Sequence, residues 1–176
     1  MSDLDVIKLE TDPVPFGRTF VQSDAFKALF QEGMELVEET AAYLDGPGRE
    51  ESRHLQRQVT VAYASESMRL TTRLMQIASW LLVQRAVGEG EISADQARLE
   101  KNRVRLNSQA SVATIDDYEA LPRRLRDLIG LATRLHARIM HLEQLISESE
   151  AQTAPPKENP VAAQQRMLLQ AFGAEA

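Results

Sequence analysis

The stretch ESMRLTTRLMQIASWLLVQRAV, from Glu66 to Val87, is the strongest constraint on how this chain can fold. Wound as a helix, it is apolar over more than the single stripe that a surface helix needs. Arg69, Arg73 and Arg85 interrupt it, so it falls short of the roughly 18 apolar residues that argue for a membrane span. With Val59 at zero and about 100° per residue, Tyr63, Leu70, Leu74, Ile77 and Leu81 cluster on one face. Met68, Thr71, Met75, Ala78, Leu82 and Ala86 form a second face beside it. Two adjacent apolar faces predict two packing neighbours, which is the place of a central helix in a bundle. Trp80, Val83 and Val87 lie outside both faces, continuing the strip that Arg69, Thr72, Arg73 and Gln76 occupy earlier in the helix. Either a short following helix covers them, or they form a partner surface in which an exposed Trp80 is an interface anchor.

The rest of the chain points the same way. Eight glycines, 5% aromatic residues and long stretches without proline predict an all-α protein, because strands favour aromatic and β-branched residues and need frequent turns. With 176 residues and 43% hydrophobic content, one domain with a real core is expected. There is no cysteine, which excludes disulfides and thiol chemistry and fits a reducing compartment. The start, MSDLDVIKLETD, lacks the basic region and apolar core of a secretory signal, so a cytoplasmic protein is expected. A net charge of −6 opposes non-specific nucleic-acid binding.

A first helix is predicted after Ser23 as N-cap, with Phe26, Leu29, Phe30, Val37 and Leu44 on its inner face. Asp24, Glu32, Glu35, Glu38 and Glu39 make its outer face acidic. LDGPG, Leu44 to Gly48, stops it: the glycines permit left-handed caps, and Pro47 disfavours helix in the residue before it. The second helix is expected from Arg49 or Glu50 to about Val87, and GEGE ends it. Ser93 and Gln96 form a capping-box pattern that opens a short third helix to about Leu106. Asn107 to Asp117 reads as a loop, and Pro122 opens the last long helix. Leu125, Leu128, Ala132, Leu135, Ile139, Leu142 and Ile146 make its heptad seam, opposite Arg123, Arg126, Arg134 and Arg138.

These elements predict an antiparallel three-helix bundle over residues 23–147, with a short extra helix. Residues 1–22 are expected to be a flexible leading segment, and 148–176 a disordered tail rich in polar residues and proline. That tail turns apolar at Met167, Leu168, Leu169 and Phe172, a cluster that either docks on a partner or folds back on the bundle.

Chemistry is sparse. ESRH, Glu51 to His54, matches one E-x-x-H, but a two-metal carboxylate bundle needs two copies, and His136 and His141 follow Thr133 and Arg138 at that spacing. His136 and His141 are five apart and do not share a helical face, so no metal is expected there. The acidic face of the first helix and Asp116 with Asp117 read as solvated or helix-starting groups. Glu66 falls on the main apolar face, where an ion pair with Arg69 or with an arginine of another helix is favoured over a buried general base. No phosphate-binding glycine motif occurs, so no enzymatic site and no cofactor are expected. The arginines of the last helix lack interleaved aromatic residues, which favours a solvated face or docking of an acidic protein over nucleic acid. Arg69, Arg73, Trp80, Val83, Val87, Arg134, Arg138, Met167, Leu168, Leu169 and Phe172 are the candidate partner-binding residues.

Three blocks carry a family resemblance: EGMELVEETAAYLDGPGR from Glu32, YASESMRLTTRLMQIASWLLVQRAVGEGEIS from Tyr63 and LPRRLRDLI from Leu121. In order and spacing they resemble the RcdA family, the regulators of CtrA degradation of alphaproteobacteria. The resemblance implies a non-enzymatic three-helix bundle that serves the ClpXP protease as an adaptor. Such proteins dock on ClpX primed by the response regulator CpdR and bind some cargo directly. They recruit the further adaptor PopA, which responds to cyclic di-GMP, for CtrA. Self-association, with a homodimer expected, and recruitment to the cell pole are also implied. The alternative from a different class is a structural or sensory helical oligomer with no protease link.

Overall fold

The computed structural model describes residues 16–103 and 115–153. Its described residues are all-α, with seven helices in the order α1 (Phe16–Val21), α2 (Asp24–Asp45), α3 (Pro47–Arg53), α4 (Arg57–Gly88), α5 (Ala94–Arg103), α6 (Ile115–Glu119) and α7 (Arg123–Thr153). The apolar cluster at 167–172 lies outside the described residues.

Several helix ends follow from local chemistry. Ser23 caps α2 by accepting from the Phe26 N–H at 3.3 Å. The Ser93 hydroxyl accepts from the Gln96 N–H at 3.2 Å while the Gln96 side chain accepts from the Ser93 N–H at 3.0 Å, so the capping box closes in both directions. Past Gly88 the chain turns at Gly90 with φ 76, and the Glu91 N–H reaches back to the Ala86 carbonyl at 2.9 Å, which satisfies a terminal carbonyl of α4.

Other ends differ from expectation. Gly46 between α2 and α3 has φ −113, so no left-handed cap forms there. The long second helix is divided: α3 ends at Arg53 and α4 begins at Arg57. The break lets α3 fold against the start of the bundle, where Tyr43 donates to Glu51 at 2.7 Å and a side chain at Gly48 would collide with the rings of Tyr43 and Tyr63. Burial, then the Glu51 hydrogen bond, push the Tyr43 phenol far above its usual range. Residues 16–21, assigned to a flexible segment by sequence, form α1, which packs on α7 with Gly17 against Ile146. Residues 115–117, assigned to a loop, begin α6, and 148–153, assigned to the tail, continue α7.

The long helices α2, α4 and α7 surround one core. Leu70, Ile77 and Leu81 of α4 meet Leu125, Leu128, Leu135 and Ile139 of α7 and Phe26, Leu29 and Leu36 of α2, all buried. Gly33 lets α2 and α4 approach, since a Cβ there would run into Leu81. α2 runs antiparallel to both partners: Glu32 pairs with Arg138 and Glu39 with Arg124. α4 and α7 run in the same direction, contrary to a consecutively antiparallel bundle. Arg73 reaches Thr133 and Trp80 reaches Glu143, both numbers rising together. A parallel pair requires the chain to return between them, and α5 begins that return, with Arg98 near Glu150 and Lys101 near Glu143.

Candidate protein-docking surface

The main face of α4 is buried as expected, but the second face is not covered. Val61, Met68, Met75 and Leu82 are 65%, 72%, 65% and 53% exposed. They stand seven residues apart and so lie along one outward strip of the helix. Ala64, Thr71 and Thr72 lie beside them, also exposed. Between Thr60 and Gln84 this outward side carries no charge, and the exposed Arg85 closes it at the carboxyl end. The charged residues of the span lie elsewhere on the helix: Glu66 is buried, Arg69 pairs with it, and Arg73 turns to α7, while Arg85, beyond the span, pairs with Glu89 and sits over the Phe30 ring of α2 at 5.2 Å. An uncharged exposed strip of this length, in a chain with 26% charged residues, has the composition of a surface that another protein covers.

Along one edge of the strip, α2 and α4 leave an apolar opening of about 160 Å³. Val37, Ala41 and Leu44 line it from α2, and Thr71, Met75 and Ala78 from α4. Glu38, next to Val37 along α2, is exposed.

Trp80 is not part of an exposed surface. It is 3% exposed, and its indole N–H donates to Glu143 of α7 at 2.6 Å. Glu143 in turn takes an ion pair from Lys101 of α5 at 3.0 Å. The cover therefore comes from α7 and α5 together, and Trp80 belongs to the core. Val83 and Val87 are half-buried beside it.

The arginine candidates divide as well. Arg69 pairs with the buried Glu66 at 2.6 Å, the ion pair favoured from sequence. Arg73 donates to Thr133 at 2.7 Å. Arg138 binds both oxygens of Glu32 at 2.9 and 2.7 Å, and Arg124 pairs with Glu39. The acidic face of α2 and the basic face of α7 thus meet along their shared edge, where the sequence suggested an acidic partner for the arginines. Arg134 is exposed on α7. Sequence reasoning missed the exposed strip because it gave both adjacent apolar faces of α4 to packing neighbours within this chain. The seven-residue spacing of Val61, Met68, Met75 and Leu82 was the available signal.

The other candidate chemistry stays dispersed. Among the described residues no group of three His, Asp or Glu is placed to hold a metal ion. His136 is half-buried, and burial first, then the Arg73 charge, lower its pKa. No helix among the described residues is long and apolar enough to cross a membrane.

Fold and surface define an all-helical bundle with one uncharged helix face open to solvent. A family model described as a protein of unknown function (DUF1465) matches residues 17–172. Among solved structures, RcdA from Caulobacter crescentus CB15 is similar at 46% identity with a TM-score of 0.60, covering 73% of this chain and 96% of that one. No curated protein matches the chain. The chain belongs to the RcdA family.

Proposed function

We propose that this protein is a non-enzymatic adaptor in cell-cycle-regulated proteolysis. It binds ClpX primed by a CpdR-type response regulator and delivers cargo to ClpXP, with a PopA-type adaptor assisting for a CtrA-type regulator. ATP is used by ClpX. Self-association as a homodimer and recruitment to the cell pole complete the assignment. The observation that carries it is the uncharged exposed strip of α4 in a chain 46% identical to RcdA. An adaptor needs surfaces for more than one protein, and the strip and the apolar cluster Met167, Leu168, Leu169 and Phe172 are the two candidates this reading assigns. Arg134, Val83 and Val87 remain candidate contacts at the margins, whereas Trp80 is withdrawn as a direct one.

The test is a binding and delivery experiment. The purified chain is mixed at micromolar concentration with ClpX, with and without CpdR, and cargo degradation by ClpXP is followed. A complex that needs CpdR, together with faster cargo loss, is expected. An oligomer that forms through the same strip and has no effect on ClpX or cargo would replace the adaptor reading with that of a structural helical assembly.

A further inference from the structure

We propose that the chain's own carboxyl-terminal segment, Arg166 to Phe172, seats in the α2–α4 opening and shelters the part of the α4 strip around Met75 and Leu82. The proposal rests on the groove and on the chain that follows Thr153, and it stands whether or not the protein serves ClpXP.

The segment fits the groove in chemistry. In RMLLQAF, Leu168, Leu169 and Phe172 fall at i, i+1 and i+4, one face of a short helix, which is how an amphipathic peptide enters an apolar groove. The opening, at about 160 Å³, accepts large side chains one or two at a time, and its lining is mostly apolar, with Val37, Ala41, Leu44, Met75 and Ala78 beside the hydroxyls of Thr40 and Thr71. Arg166 is the only charged residue between Glu158 and Glu175, and the exposed Glu38 adjoins the lining residue Val37 on α2, an opposite charge for it to meet.

The reach is sufficient. α7 ends at Thr153, at the same end of the bundle as Gly88, because α4 and α7 run parallel. The groove at Thr71–Ala78 lies roughly 15–25 Å down α4 from Gly88 at about 1.5 Å per residue. It lies about one bundle width, roughly 20 Å, across. Residues 154–165 carry Pro155, Pro156 and Pro160, and such a spacer spans up to about 37 Å at roughly 3.1 Å per residue. The family match runs to residue 172, so it takes in this segment together with the bundle.

A tethered segment also has an advantage over a second copy. A short linker presents it at an effective concentration on the order of millimolar, well above the micromolar concentration of another chain. Docking in cis then competes with any partner that uses Met75 and Leu82, and partner binding has to displace it.

The chain has no cysteine, so a single introduced thiol reports on one place. In the full-length protein, Met75→Cys and, separately, Leu82→Cys are labelled with a maleimide. Each is compared with the same protein carrying Leu168→Ser, Leu169→Ser and Phe172→Ser. Met140→Cys on α7, 40% exposed and outside the groove lining, is the control, its rate compared only with itself between the two segments. The thiol at Met75 in the groove and the one at Leu82 on the adjoining strip should both label about tenfold faster with the altered segment, as for a site closed roughly nine-tenths of the time, while the control is unchanged. The protection should persist over about a hundredfold dilution, as an intramolecular contact does. Equal rates with both segments would overturn the proposal. So would protection that disappears on dilution, which would assign the groove to a second copy. Neither result depends on ClpX, so failure here leaves the adaptor reading to its own test.

Discussion

Two heptad rows run through this molecule and meet opposite fates. On α7, Leu125, Ala132, Ile139 and Ile146 stand seven apart and are at most 2% exposed. On α4, Val61, Met68, Met75 and Leu82 have the same spacing and are more than half exposed. Periodicity states that a row will be covered by something; it does not say whether the cover belongs to the same chain. Neighbours decide. The α7 row faces α2 and α4, with α1 over Ile146, and is closed by them, whereas the α4 row points to solvent, with only Met75 bordering α2.

The contrast breaks most sharply where a core residue is truncated. Trp80→Ala should cost about 3–5 kcal/mol of folding stability, through the lost packing and the indole donor removed from Glu143. Leu135→Ala on the closed row should cost about 2–5 kcal/mol. Urea unfolding followed by circular dichroism measures both, and a Trp80→Ala protein as stable as the parent would return Trp80 to the surface. Gly33→Ala comes next, at about 1–3 kcal/mol, because its methyl group meets Leu81 in a filled interior. If it instead melts at the parental temperature, α2 and α4 are less closely packed than described.

The open row should behave in the opposite way. Replacing Met68 and Met75 together by Ser should leave stability within about 0.5 kcal/mol. It should weaken self-association or the ClpX complex by about tenfold or more, as loss of an apolar interface centre does. Calorimetric titration beside a melt of the same sample measures the two quantities together. A collapse of melting temperature would place the row in a core.

The smallest effect is one of pH. His136 is harder to protonate in the fold than its ordinary value of 6.5, chiefly through burial and secondarily through Arg73. The unfolded chain therefore binds more protons in that window. Its contribution to stability is full above pH about 6.5 and is lost as pH falls through the lower folded value. His136→Asn should flatten that part of the stability profile, and an unchanged slope would show that other groups set it.

How much of this was legible in the sequence follows from the same contrast. The α7 seam, the Ser23 cap and the Ser93–Gln96 box could be read directly, because each is a local pattern with a local cause. The separation of α3 from α4 could not. No glycine or proline marks His54 to Gln56, and the break depends on Tyr43, Gly48 and Tyr63 meeting across the bundle. Trp80 was left between cover by the short helix and a partner surface because a helical wheel assigns an angle but not the Glu143 of another helix waiting there. The parallel course of α4 and α7 was hidden for a related reason, since periodicity reports faces and is blind to direction. As for the docking strip, its residues were all visible, and only their lack of a cover in this chain was not.

The parallel course also bears on how the chain is made. α2 and α4 follow each other closely and oppose each other, so they can form a helical hairpin once Gly88 has left the ribosome. The groove that α7 fills, however, waits for Ile146, and contacts such as Arg73 with Thr133 and Trp80 with Glu143 close over 60 and 63 residues. At roughly 5–20 residues per second, the hairpin carries an unfilled interior for about 3–12 s of synthesis. During that interval the nascent chain exposes both rows at once, the one α7 will close and the one that stays open. It is then at its most vulnerable to aggregation and to the proteases of the cell.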